Sequence, residues 1–243
     1  MITSKDNKLI KYIDKIKNKK YSKQDGVCFV ESIKIIRELY AKGLINCILL
    51  SEEKSYLKSE FEDIQIEIVS SSMAKLISET MTTDGVFAIA KIVASENVGY
   101  SKCLILDNIQ DPSNLGAIIR SACAFGYTTI MSLNSCYPYT NKVIRSSMGY
   151  VFDVNFVDVD LNKLIDLKNS HNILLITADM DGVSIDKTSK PDGNFAIVIG
   201  NEGNGVSKEV LELSDKVVSI PMVNGVESLN ASVSASIIMF NLK

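Results

Sequence analysis

The 243 residues contain 46% hydrophobic and 23% charged side chains, the proportions of a folded globular chain with room for two modest domains or one large one. Net charge is −3, yet residues 1–23 alone carry eight lysines against Asp6 and Asp14, a local +6 that leaves −9 for the rest. With a single histidine, His171, and five scattered cysteines lacking any CxxC, most zinc sites and every histidine-based catalytic triad are excluded.

In chain order, residues 3–20 read as a helix with Leu9, Ile13 and Ile16 on one face and Lys8, Lys11 and Lys15 on another. A lysine face of that kind attracts nucleic acid electrostatically, or is simply a solvated helix face. Strands are expected at 26–31, 45–51, 64–70 and 85–92, with helices at 32–43 and 72–81 between them. That alternation indicates a small α/β domain over residues 1–93. Residues 93–102 are polar and without aliphatic periodicity, and 94–102 read as a linker. Over 103–243 the rhythm repeats, with strands at 103–108, 128–133, 151–157, 172–177, 195–200 and 216–221. Helices fill 114–125, 140–147, 161–169, 207–213 and 229–241. Several strands are unbroken apolar runs, the mark of a parallel sheet covered on both faces. The fold class is therefore α/β throughout. No run of about 18 apolar residues and no signal-peptide core occurs, so a cytoplasmic protein without a membrane partner is expected.

Three strand ends carry unusual residues, and ligands on open parallel sheets sit at the carboxyl ends of strands. The first, "LILDNIQDPSNLGAIIRSACAFGY" (104–127), is also explicable as a Pro112 turn with Ser113 or Asn114 capping a helix. The second, "GNEGNG" (200–205), has the order G-x-x-G-x-G rather than the dinucleotide fingerprint, and no P-loop is present. Its glycine backbone beside the Glu202 carboxylate suits a neutral or cationic adenosine-type ligand better than a pyrophosphate. The third, "SIPMVNGVESLNASVSASIIMF" (219–240), sets small polar residues where a terminal helix begins. Ser232 and Ser236, at i and i+4, are read there as packing residues.

Together, Asn114-x-Gly116-x-x-x-Arg120, Gly200-Asn-Glu202-Gly-x-Gly205 and Ile220-Pro221-Met222 with Glu227-Ser228-Leu229-Asn230 resemble the three motifs of the SpoU/TrmH family. These are S-adenosylmethionine-dependent RNA 2′-O-ribose methyltransferases. "IRSSMG" (144–149) resembles the segment between the first two motifs, and the first 32 residues resemble the start of an L30e-like RNA-binding domain. Two departures stand out: Ser32 where that domain has glycine after its strand, and Asn224, followed by Gly225, where the third motif has glycine.

The resemblance implies a catalytic domain of parallel-sheet SPOUT type with a deep trefoil knot, acting as a homodimer whose site is completed across the two-fold axis. It implies S-adenosylmethionine as cofactor, held by backbone groups at Gly200, Ile220 and Leu229. It implies catalytic roles for Asn114, Arg120, Glu202, Ser228 and Asn230, and RNA contacts from Lys8, Lys11, Lys15 and Arg145, with no metal. Ribosomal RNA is favoured over transfer RNA because of the extra N-terminal domain. Three rivals stand beside this reading: a tRNA 2′-O-methyltransferase, a non-catalytic RNA-binding protein on the same fold, and a nicotinamide or nucleotide enzyme on a Rossmann sheet.

Overall fold

A computed structural model describes residues 1–93, 98–223, 226 and 228–243. Two compact units emerge. The first holds Met1–Val93 and, from much later in the chain, Tyr139–Gly149. The second holds the remaining described residues, 98–138, 150–223, 226 and 228–243.

The first unit contains α1 (Lys8–Ile16), α2 (Lys19–Asp25), β1 (Val27–Glu31), α3 (Ile33–Ala41), β2 (Ile45–Ser51), β3 (Gln65–Val69), α4 (Ser71–Ile77) and β4 (Val86–Lys91). Its sheet runs β1-β4-β2-β3, with only β2 and β3 parallel. Ile10, Ile13 and Ile16 of α1 are buried in a core with Phe29, Leu49 and Phe87. Each such side chain stabilises the fold by about 1.5–3 kcal/mol when fully buried.

Two expectations for this unit are corrected. The helix read as 3–20 is two helices, because Asn18 adopts an extended backbone and caps α2 by accepting from the Lys20 N–H. The helix read as 72–81 ends at Ile77, and the buried Glu31 carboxylate holds the next residues instead. It accepts from Ser78 Oγ at 2.6 Å, the Glu79 N–H at 3.0 Å and Thr80 Oγ1 at 3.0 Å. Residues Glu52–Glu60, given no element from the sequence, form 3₁₀ turns.

The second unit is built on β5 (Lys102–Asp107), α5 (Pro112–Phe125), β6 (Thr129–Leu133), β7 (Asn155–Val159), α7 (Leu161–Ser170), β8 (Leu174–Ser184), β9 (Phe195–Ile199), α8 (Lys208–Glu212), β10 (Lys216–Ser219) and α9 (Ala231–Asn241). The intervening α6 (Asn141–Ser146) belongs with the first unit, where its Asn141 Oδ1 accepts from the Glu31 N–H at 3.1 Å. All six strands are parallel, in the order β10-β8-β9-β5-β6-β7. All of β9 and residues 103–106 of β5 are apolar, because side chains alternate to two covered faces. Cys103 and Ile105 join a cluster with Leu164, Leu175 and Val210, while Leu104 and Leu106 point to the opposite face and are equally buried. The strand read as 151–157 is a 3₁₀ turn (Tyr150–Asp153) followed by β7, and β8 runs seven residues past its expected end at 177.

The helices α5 and α9 pack against each other. Small residues make this possible, as the i, i+4 spacing of Ser232 and Ser236 suggested. Ser236 Oγ donates to the Ser232 carbonyl at 2.7 Å, which leaves it to accept from Ser121 Oγ of α5, also at 2.7 Å. Since β5 leads outward to β6 on one side and borders β9 on the other, the strand order reverses at the β5/β9 pair. The carboxyl ends of those two strands are where a ligand belongs on such a sheet.

Candidate active site

Helix α5 starts at the end of β5, and its cap decides what Asn114 can do. Neither Ser113 nor Asn114 caps the helix. Asp111 does, its Oδ1 accepting from the backbone N–H groups of Ser113 (2.7 Å) and Asn114 (2.9 Å), with Pro112 at the first helical position. The Asn114 carboxamide is thereby free for other partners. Its Nδ2 donates to Glu202 Oε1 at 2.8 Å, beyond the end of β9. Its Oδ1 accepts from Asn230 Nδ2 at 2.9 Å. Asn230 in turn caps α9, its Oδ1 accepting from the Ser232 N–H (2.9 Å), Ser232 Oγ (2.6 Å) and the Val233 N–H (3.4 Å).

The orientation of this relay is chemically forced. An ionised carboxylate only accepts, so Asn114 must turn its NH₂ toward Glu202 and its oxygen toward Asn230. Asn230 must then turn its oxygen to the start of α9, where unpaired N–H groups collect. One residue from each of the three sequence motifs is thus joined in a single line.

The loop after β9 is a tight hairpin. Asn201 and Gly205 exchange backbone hydrogen bonds at 2.9 and 3.0 Å. A Cβ on Gly200 would lie 2.3 Å from the Gly205 carbonyl carbon and from the Val206 nitrogen, so the crossing admits only glycine there. Gly205 itself has φ +70°, in the left-handed region. Beneath the loop, the buried Asp107 carboxylate at the end of β5 accepts from the Ser207 N–H at 2.7 Å, fixing the entrance to α8.

Other expected site residues are not drawn into the relay. Arg120 is exposed, and no hydrogen bond or ion pair reaches its side chain among the described residues. Six residues along α5, it lies about 9 Å beyond Asn114 and about 120° around the helix from it. Ser228 is exposed and makes no hydrogen bond among the described residues. Gly200, Ile220 and Leu229 are half-buried at the ends of β9 and β10 and just before α9. Among the described residues, none of the three spends its backbone groups on a turn or loop hydrogen bond. Lys8, Lys11, Lys15 and Arg145 all belong to the first unit, on α1 and α6, and all are exposed. The expectations placed on Asn224, Gly225 and Glu227 fall outside the described residues, as do residues 94–97 of the expected linker. Among the described residues no cluster of His, Cys, Asp or Glu can hold a metal ion.

Sequence reasoning passed over Asn108, Asn201 and Gln110. Asn108 follows β5 with φ +60°, and its carbonyl accepts from Asn201 Nδ2 at 2.9 Å. Gln110 Nε2 donates both to Asn108 Oδ1 (2.7 Å) and to the carbonyl of Asn134, another left-handed residue at φ +52°. The available signal was asparagine directly after an apolar strand, since asparagine tolerates the left-handed region better than most residues.

Comparison with known proteins adds the following. The SpoU rRNA Methylase family matches residues 101–240, and the MRM3-like substrate binding domain matches residues 7–88. The chain is 28% identical, over all of its length and 98% of the relative's, to the 23S rRNA (guanosine(2553)-2′-O)-methyltransferase RlmP of Bacillus subtilis. It is 36% identical over 58% of its length, and 62% of the relative's, to an uncharacterized tRNA/rRNA methyltransferase of Borreliella burgdorferi. The AdoMet-bound rRNA methyltransferase of Sinorhizobium meliloti superposes with a TM-score of 0.88 at 20% identity, over 99% of this chain and 96% of that one, which shows a shared fold.

Proposed function

The chain belongs to the SpoU rRNA Methylase family, and from that membership we propose that it methylates a ribose 2′-hydroxyl of ribosomal RNA, with S-adenosylmethionine as methyl donor. One observation carries the reading: the Glu202–Asn114–Asn230 relay, which joins the three motif segments at the strand ends where a ligand binds. Ribosomal RNA is favoured over transfer RNA by the full-length likeness to a protein named for 23S rRNA, and by the match of residues 7–88 to a substrate-binding domain. A non-catalytic RNA-binding role is disfavoured because the relay residues are all present and joined.

The residues at the expected cofactor position fit S-adenosylmethionine. Ile220 and Leu229 offer half-buried apolar surface for an adenine ring, beside the backbone groups of Gly200, Ile220 and Leu229, which make no turn or loop hydrogen bond among the described residues. The exposed Glu202 carboxylate is compatible with a cationic sulfonium and would repel a pyrophosphate. When bound, the cofactor supplies an electrophilic methyl group. The chain's own task is to hold the 2′-oxygen in line with it, and positioning lowers such barriers substantially. In this reading Asn114 and Asn230, oriented by Glu202, set the ribose, with Ser228 beside them.

Arg120 serves as a clamp. Neutralising an arginine at pH 7 to make a base costs roughly 7–9 kcal/mol. A planar guanidinium held by an RNA phosphate, stabilising the developing alkoxide while that phosphate relays the proton, needs no such step. Its exposure, away from the relay of its own chain, is what a residue offered to a second copy would show. A homodimer completing the site across its two-fold axis is therefore part of the proposal, as is the family's trefoil knot. Residues 1–93 act as the RNA-binding domain, joined through 94–102 to a catalytic domain of 103–243, in the cytoplasm. Lys8, Lys11, Lys15 and Arg145 meet RNA phosphates.

The test is methyl transfer from labelled S-adenosylmethionine to rRNA and tRNA, followed by digestion to nucleosides and mass spectrometry. A 2′-O-methylnucleoside from rRNA is the expected product. Methylation on a base, on tRNA alone, or on neither RNA overturns the reading.

A further inference from the structure

The Glu202 carboxylate projects from an exposed hairpin, yet the relay requires it at a fixed point. Asn114 holds only Oε1. The other oxygen, Oε2, has the Asn201 Nδ2 at 3.4 Å. Asn201 is itself anchored by more partners than any other side chain of the hairpin. Its Oδ1 accepts from the N–H groups of Gly203 and Asn204, both at 3.0 Å, and its Nδ2 donates to the Asn108 carbonyl at 2.9 Å. Asn108 reaches that amide because its backbone turns left-handed at the end of β5, and its own N–H is held by the Leu133 carbonyl at 2.8 Å, at the end of β6.

From this geometry we infer that Asn201 is a positioning residue for methyl transfer: it braces the Glu202 carboxylate against the rigid ends of β5 and β6. The inference rests on the proposed role of Glu202 and adds a residue to it. Two carboxamides, Asn114 and Asn201, then bracket one carboxylate from opposite oxygens. The two halves of the Asn201 amide have separable duties. Its oxygen shapes the turn over Gly203 and Asn204, and its nitrogen ties the loop to the strand ends and to Glu202.

That separation gives the experiment. In Asn201→Ser, a hydroxyl keeps an acceptor for the turn N–H groups but is too short to span to Asn108 and Glu202. Asn201→Ser, Glu202→Gln and the double variant are compared with the parent by single-turnover methyl transfer to rRNA. S-adenosylhomocysteine affinity is measured by calorimetry. The expected result is a loss of tenfold or more in each single variant. The double variant should fall within about twofold of Glu202→Gln, because residues acting through one another are not additive. Cofactor affinity of Asn201→Ser should stay within about threefold of the parent. Multiplicative losses in the double variant overturn the inference, as does a collapse of cofactor affinity in step with rate, which marks Asn201 as a fold residue only. Parent-like turnover by Glu202→Gln also overturns it while leaving the methyltransferase reading standing. Failure of the parent itself to methylate RNA strikes that reading instead.

Discussion

Asn230 donates from Nδ2 to Asn114 Oδ1 across 2.9 Å, joining the first turns of two helices whose residues stand 116 apart in the chain. Because Asn114 also donates to Glu202, one carboxamide holds all three strand-end segments in register. Asn114→Ala removes both bonds at a half-exposed position where water replaces part of them. The expected stability loss in urea unfolding is therefore modest, about 1–2 kcal/mol, while methyl transfer should fall by at least a hundredfold. Asn114→Asp sets a second carboxylate against Glu202 and should be worse than alanine at pH 7. Like charges raise a carboxylate pKa in the folded state, so the native form binds the extra proton. Stability of Asn114→Asp should accordingly rise as pH falls from 7 to 5, opposite to the usual trend for a paired carboxylate.

Arg120 has no partner to lose within its own chain, among the described residues. Arg120→Lys should then leave the unfolding midpoint within experimental error. As a clamp that needs a planar fork, it should nevertheless lose methyl transfer by a hundredfold or more. Turnover by the lysine variant near the parent rate would sink the clamp assignment.

Gly200 and Gly203 sit three residues apart in one hairpin with opposite tolerances. An alanine Cβ at Gly200 meets backbone atoms at 2.3 Å, and backbone cannot swing aside as a side chain can. At Gly203 the nearest atom is the Asn201 Oδ1 at 3.7 Å, an ordinary contact. Gly200→Ala should cost about 1–3 kcal/mol and weaken S-adenosylhomocysteine binding at least tenfold. Gly203→Ala should change stability by less than about 0.5 kcal/mol. Calorimetry on the pair checks both.

How far the sequence reached depends on the kind of signal. Apolar runs such as Leu104–Leu106 and Phe195–Ile199 located the buried strands, because burial on both faces erases the alternation and leaves a short unbroken apolar run. The three motif segments were legible because each follows such a strand. Breaks made by one side chain were not: Asn18 dividing α1 from α2, or Glu31 reaching 47 residues ahead to end α4. Nor could spacing show that Asp111, rather than Ser113 or Asn114, caps α5. The membership of Tyr139–Gly149 in the first unit was equally hidden, since it depends on Asn141 meeting Glu31 across 110 residues. Side-chain bonds between distant residues leave no period in a sequence.

Burial pushes three thiols upward: Cys103 to about 12, Cys47 to about 11, and Cys28 further still. A raised thiol pKa means the neutral form at pH 8, and the neutral form is not the nucleophile. Titration of the native protein with a thiol reagent at pH 8 should modify at most Cys123 and Cys136, which are half-buried. All five should react after unfolding. Rapid modification of a third thiol in the native state would contradict this packing.

The α1 lysines differ in what they must give up to meet RNA. Lys11 pairs with Asp6 at 2.8 Å, and Lys15 lies 3.8 Å from Asp25 and 4.7 Å from the centre of the Tyr21 ring. Lys8 has no ion-pair partner among the described residues. The Lys11–Asp6 pair is well exposed on both sides, so solvent screens it and it opens readily toward a phosphate. Neutralising Lys8, Lys11 and Lys15 together to glutamine should therefore spare stability, because the Ile10, Ile13 and Ile16 face is untouched. RNA affinity should fall, and the slope of log affinity against log salt should flatten by about 2–3, since each of three lost phosphate contacts removes about 0.7–0.9. Lys11→Gln alone should weaken binding at least as much as Lys8→Gln, because its loss also leaves the Asp6 carboxylate unpaired to repel phosphate. An unchanged salt slope in the triple variant would remove α1 from the RNA surface, leaving Arg145 as the first-unit cation to examine next.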